Sequence, residues 1–261
     1  MSTTSLPALF IGHGSPMNTL EINRYTESWR NLAASLPRPQ AILMISAHWY
    51  INATAVTAMP SPRTIHDFYG FPDELFAVQY PAPGSPELAQ RVVELAAPTW
   101  VGLDADQWGL DHGAWSVLAH MYPDSDIPVV QFSINANESM EYHTELGARL
   151  APLLDEGVLI IGSGNVVHNL GRIQWGAEGR GFDWADSFDI DTRNIMTTNP
   201  AALSTVTQHE AFSLAVPTPD HFLPLAYIAG IAATTDASVS VFNDERTMGS
   251  LSMTSYFAQP A

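Results

Sequence analysis

Compact apolar runs that stop at Gly, Pro or His alternate along the chain with stretches whose apolar residues recur every three or four positions. Leu6–Ile11 reads as a buried strand halting at Gly12, and Tyr25, Trp29, Leu32 and Leu36 then follow at helical spacing. Ala41–Ala47 (AILMISA) carries the clearest buried-strand signal, with Ala53–Met59 a second. Ser85 followed by Pro86 and Glu87 is a capped helix start, and Leu88, Val92 and Leu95 give that helix one apolar face. Ile127–Ile134, rich in β-branched residues, predicts a strand, and Tyr142, Leu146, Leu150 and Leu153 predict the helix after it. Val158–Ile161 is again strand-like and runs into Gly162-Ser163-Gly164. Helices are expected across Trp184–Met196 and from about Phe222 to Ala232, with Ser238–Phe242 as a last central strand.

Strands alternating with helices predict an α/β fold: a single domain over residues 1–261, its central mixed, mainly parallel sheet flanked by helices on both faces. No internal repeat or Ser/Gly linker divides the chain.

Charge narrows the function. All basic residues are arginines, and the formal net charge is −17. So acidic a surface repels phosphate backbones and anionic membranes, which argues against nucleic-acid and membrane partners. The N-terminal MSTTSLPALF has no basic segment ahead of an apolar run, and no stretch approaches the ~20 apolar residues of a membrane span. A cytoplasmic protein is expected. With no cysteine, thiolate catalysis, Cys-ligated zinc and iron–sulfur clusters are excluded, so any metal must be held by His, Asp, Glu or water.

Several histidines then stand out by position. His13 follows Leu6–Ile11, His48 follows Ala41–Ala47, and His168 lies a few residues past Val158–Ile161. In open α/β sheets, sites form beyond the strands' carboxyl ends, so parallel strands bring these three imidazoles together. His221 heads the helix expected from Phe222, where the positive helix end disfavours imidazolium and leaves a neutral, metal-binding ring. One histidine after one strand is most often an ordinary loop residue; the coincidence of four points to a metal site. His112, in Gly109-Leu110-Asp111-His112-Gly113, sits in a glycine-flanked turn where Asp111 orients it or simply closes an Asx turn. His66 lies on an aromatic loop, while His120, His143 and His209 read as structural or solvated helix residues. Asp183, Asp186, Asp189 and Asp191 read as a solvated acidic face. The dinucleotide fingerprint fails at Val167, and Ser15 and Ser163 sit outside a G-x-S-x-G elbow.

Six blocks carry a family resemblance: GHGSPMN (Gly12–Asn18), SAHW (Ser46–Trp49), IHDFYGFP (Ile65–Pro72), GLDHGAW (Gly109–Trp115), GSGNVVHNL (Gly162–Leu170) and PDHFLPL (Pro219–Leu225). As an ordered set spanning almost the whole chain, they resemble the 4,5-DOPA extradiol dioxygenase family of the class III extradiol group. The resemblance implies a catechol and O2 as small-molecule partners, opened to an aldehyde acid at one divalent metal ion. It implies metal ligands at His13, His48 and His221, and an acid/base at His168 that can approach the metal as a fourth ligand. His112 would lie near substrate or dioxygen, and His66, Phe68, Tyr69 and Trp49 would be pocket-wall candidates. Fe(II) is the metal expected for activity, although an all-histidine set also suits Zn(II). The wider group has a glutamate where this chain has His221. Two other functions fit the same histidines: a zinc-dependent hydrolase and a non-catalytic metal-binding protein.

Overall fold

The computed structural model describes residues 5–177 and 179–261. Strand β1 (Ala8–Gly12) leads through a 3-10 turn at Pro16–Thr19 into helix α1 (Arg24–Ser35), capped by the Asn23 side chain. Strands β2 (Ala41–Ile51) and β3 (Ala55–Thr57) follow, then the one-turn helix α2 (Asp73–Phe76). Helix α3 (Pro86–Ala96) starts where its spacing predicts, with the Ser85 hydroxyl accepting from the Leu88 amide. Next come β4 (Gly102–Asp104), α4 (His112–Met121), β5 (Val129–Asn135) and α5 (Met140–Leu150). Strand β6 (Val158–Gly164), α6 (Asp183–Thr198), the short α7 (Phe212–Ala215) and α8 (Leu223–Thr234) precede the last strands. These are β7 (Ser238–Phe242), β8 (Arg246–Thr247), β9 (Leu251–Ser252) and β10 (Ser255–Gln259).

One eight-stranded sheet runs in the order β4-β3-β5-β2-β6-β1-β10-β7. Its centre, β5-β2-β6-β1, is parallel throughout, so these strands end along a common edge. Antiparallel pairing appears only toward the flanks, where β3 meets β5 and β10 joins β1 to β7. Successive residues of the central strands point to opposite faces. Phe10, Leu43 and Ile45 join one core under α3, α5, α6 and α8, while Leu9, Ile11, Ile42 and Met44 join another under α1 and α4. Helix α8 is buried from Leu223 to Ala232, and each large apolar side chain there stabilises the fold by roughly 1.5–3 kcal/mol over exposure. No helix among the described residues is long and apolar enough to cross a membrane.

The fold departs from the sequence pattern in three places. Ser238–Phe242 forms an edge strand, not a central one; β10 lies between it and β1. The two read alike as short apolar segments, and only pairing decides which is inside. Strand β2 runs beyond Ala47 to Ile51, so His48 lies within the strand and not past its end. Its ladder with β5 is interrupted between Ile45 and Tyr50, and such an irregularity re-aims side chains locally. The acidic stretch is only partly solvated. Asp189 is fully buried and accepts from the Ser252 and Thr254 hydroxyls and from Arg246, tying α6 to the 250–254 segment.

Candidate metal centre

His13 emerges where β1 ends. Its amide donates to the Gly164 carbonyl at 3.1 Å, and the Asn18 side-chain amide donates to its carbonyl at 2.9 Å. Its ring Nδ1 lies 2.9 Å from the Ser163 hydroxyl, which spends its only hydrogen on the Gly113 carbonyl at 2.6 Å. Ser163 must therefore accept from His13 Nδ1–H, which leaves Nε2 with a bare lone pair. This tautomer follows from the hydrogen bonds around it.

His48 and His221 obey the same logic. His48 Nδ1 lies 3.2 Å from the Asp67 carboxylate, and His221 Nδ1 donates to the Asp220 carboxylate. A carboxylate only accepts, so His221 carries its hydrogen on Nδ1 and keeps Nε2 bare. His48 approaches Asp67 without hydrogen-bond geometry, and the neighbouring acceptor favours the same tautomer there. Burial raises the Asp220 carboxyl, but the hydrogen bonds of the His221 ring and the Thr218 side chain outweigh it and hold it down to about 2.

These rings converge. His13 and His48 lie 5.2 Å apart between centroids, His13 and His221 5.4 Å, and His48 and His221 5.0 Å. The Nε2 atoms of His13 and His48 are 3.3 Å apart. His168, whose amide donates to the Ala215 carbonyl, stacks face to face on His221 at 3.5 Å between centroids. His112 opens α4 and sits 3.8 Å from the His48 ring. All five histidines singled out by position or resemblance thus meet at one place.

Burial, followed by the mutual repulsion of neighbouring imidazoles, holds His13 and His48 well below the usual histidine range. The same causes, burial first, bring His168 down to about 3. His13 Nε2 is bare, and with His48 also carrying its hydrogen on Nδ1 the two lone pairs would face each other and repel unless a cation lay between them. Two imidazole nitrogens each ~2.1 Å from one ion stand about as far apart as the His13 and His48 Nε2 atoms do. The donor set fits one divalent metal ion.

The geometry also corrects and extends the reading of the histidines. Asp111 does not orient His112: it caps α4 through the Ala114 amide and accepts from Ser46 and Gln131. The carboxylate beside the His112 ring belongs to Asp67, 2.9 Å from Nδ1. The ligand atoms that lie within 4.8 Å of one another belong to His13, His48 and His112; His221 is not in that group, and His112 stands nearer the centre than a purely substrate-facing ring requires. Gly113 permits this crowding, since a Cβ there would stand 2.8 Å from His48 Cδ2 and closer still to Ser46. Sequence reasoning missed Ser163, Asp67 and Asp220 as anchors. Only Asp220, adjacent to His221, had a local signal. Of the pocket-wall candidates, Phe68 meets the His112 ring edge-on at 5.4 Å, whereas Trp49 is buried in a stack with Trp108. His66 is engaged with the Val78 carbonyl, and Tyr69 projects into solvent.

A family model described as the catalytic LigB subunit of aromatic ring-opening dioxygenase matches residues 7–257. The chain belongs to this family. It is an enzyme of the extradiol dioxygenase class. The dioxygenase is 51% identical over 259 residues to a 4,5-DOPA dioxygenase extradiol of Escherichia coli (strain K12), covering 98% of this chain and 95% of the relative. It is 39% identical over 244 residues to the protein of that name from Beta vulgaris, covering 90% of each. A crystal structure of an uncharacterized Escherichia coli K12 protein superposes with a TM-score of 0.85 at 46% identity, covering 97% of this chain and 99% of that one.

Proposed function

We propose that the whole chain, residues 1–261, works as one catalytic domain that cleaves a catechol such as DOPA beside its diol. Both atoms of O2 enter the product, a ring-opened aldehyde acid. In this reading His13, His48 and His221 hold the metal through Nε2. The observation that carries it is the convergence of the three rings, whose centroids lie 5.0 to 5.4 Å apart, each with its Nδ1 beside an acceptor on Ser163, Asp67 or Asp220. Fe(II) is the working metal, supplying open positions for catechol and dioxygen together, while Zn(II) suits the same ligands and can fill the site in purified protein.

The chain's own residues handle orientation and protons. Burial holds His168 down to about 3, which favours the neutral ring, one nitrogen of which is free to take a proton when substrate arrives. A catechol losing its proton brings negative charge beside the ring, which raises its basicity. His168 then takes the second hydroxyl proton and returns it as the ring opens. His168 can also approach the metal as a fourth ligand, given its stack on His221. His112, beside His48 and edge-on to Phe68, faces substrate or dioxygen and positions it by hydrogen bonding. The partners are small molecules; the net charge of −17 opposes nucleic acid and anionic membrane, and the cytoplasm is the expected compartment.

The test is anaerobic loading with Fe(II), then oxygen-electrode assays on a panel of catechols including DOPA. Oxygen consumed one-to-one with catechol, with a product absorbing as an aldehyde acid, is the expected result. Turnover of an ester or amide by zinc-loaded protein without oxygen uptake would replace this reading by a zinc hydrolase. A metal-bound protein inert toward both would be a binding protein.

A further inference from the structure

We infer that Asp67 is a positioning residue for two histidines at once, its single carboxylate holding the metal-side ring of His48 and the substrate-side ring of His112 in one fixed arrangement. The inference rests on the functional reading above, in which those two rings have those roles.

One carboxylate oxygen, Oδ2, lies 3.2 Å from His48 Nδ1, and the other, Oδ1, lies 2.9 Å from His112 Nδ1. Oδ1 also accepts the His112 backbone amide at 2.9 Å. Both ring contacts are close approaches without hydrogen-bond geometry, and His112 Nδ1 has no hydrogen-bond partner among the described residues. Beside an acceptor-only carboxylate, the favourable tautomer of each ring carries its hydrogen on Nδ1 and leaves Nε2 bare. Among the described residues, Asp67 pairs with no arginine; its neighbours are these two imidazoles and the His112 amide.

The loop that delivers Asp67 is fastened to the helix that delivers His112. The Ile65 amide donates to the Leu110 carbonyl at 2.7 Å, and the Trp115 indole donates to the Ile65 carbonyl at 2.8 Å. A carboxylate so mounted has little freedom to serve one ring and release the other. The remaining anchors differ, since Ser163 serves His13 alone and Asp220 serves His221 alone. Asp67 is where metal retention and substrate positioning share one side chain. An asparagine there offers one carbonyl oxygen, and its NH2 group opposes the N–H of the other ring.

Two measurements test this. In metal-free, 15N-histidine-labelled protein, NMR should show His48 and His112 both as the Nδ1–H tautomer; an Nε2–H tautomer at either ring overturns the proposal, and no variant has to fold. Asp67→Asn should weaken zinc binding about 10- to 100-fold, read by chelator competition. At saturating Fe(II), Asp67→Asn combined with His112→Ala should turn over no more slowly than His112→Ala alone, while its zinc affinity stays weakened. An Asp67→Asn protein binding zinc like the wild type overturns the Asp67 role alone. A wild-type protein that binds no stoichiometric metal would instead overturn the metal reading beneath it.

Discussion

His13 and His143 are both buried, and burial is the foremost cause of a lowered pKa in each. Their surroundings make them different. His143 sits on α5 in the core, its Nδ1 3.0 Å from the Tyr227 hydroxyl and its Nε2 without a partner among the described residues. His120 is similar, a buried ring bonded to the Asn18 carbonyl at 2.7 Å. Each is a lone imidazole, and each ties its helix to another segment, α5 to Tyr227 of α8 and α4 to the turn at Asn18. At the sheet edge, His13 faces His48, His112 and His221. A neutral ring is thus a common product of burial. A ligand requires in addition that Nδ1 be anchored and that several free Nε2 atoms share one space.

Breaking the edge cluster should produce the largest effect. His13→Ala or His48→Ala should lose stoichiometric metal while keeping the fold, whereas His143→Ala should keep the metal and lose stability; elemental analysis beside thermal melts separates the two. Stoichiometric iron in either edge variant would remove that ring from the ligand set. His168→Ala should retain metal yet lose at least ~100-fold in turnover, the scale of general acid–base catalysis. An unchanged rate would take His168 out of proton transfer.

Smaller changes sharpen the contrast. Gly113→Ala forces a methyl against His48 and Ser46, and a zinc affinity weakened roughly 10-fold is expected as the ring tilts. Equivalent affinity would mean that α4 can retreat without disturbing His48. Finally, His143 is held at about 4 in the folded protein against about 6.5 unfolded. The unfolded chain binds the extra proton between those values, so stability is full above pH ~6.5 and falls as pH drops toward about 4. The contribution is at most roughly 3 kcal/mol. Denaturant titrations of His143→Gln should show a shallower acid decline than wild type, with metal content unaltered.

Much of this was legible in the chain. The alternation of buried runs and helical spacing gave the parallel centre, because a strand covered on both faces must be apolar along nearly its whole length, as Ala41–Ala47 is. His13 and His168 were readable because β1 and β6 stop just before them. His48 was found for a slightly wrong reason: its strand continues, and a ladder irregularity turns it toward the site. The end of the chain was harder, since β7 and β10 carry similar short patterns and only their partners distinguish edge from interior. Asp189 looked solvated because its neighbours in sequence are, but the residues that bury it come from 246–254.

By itself the sequence determined the fold class, the exclusion of thiolate chemistry, the positions of the histidines and, through ordered blocks, the resemblance to ring-opening dioxygenases. These depend on residue type and on spacing within single segments, where periodicity and strand ends are local properties. Tertiary structure alone decided which acceptor stands beside the Nδ1 of each ring. The acceptors are Ser163, Asp67 and Asp220; for His13 and His48 the partner lies 150 and 19 positions away along the chain, and such a contact is set by distance in space.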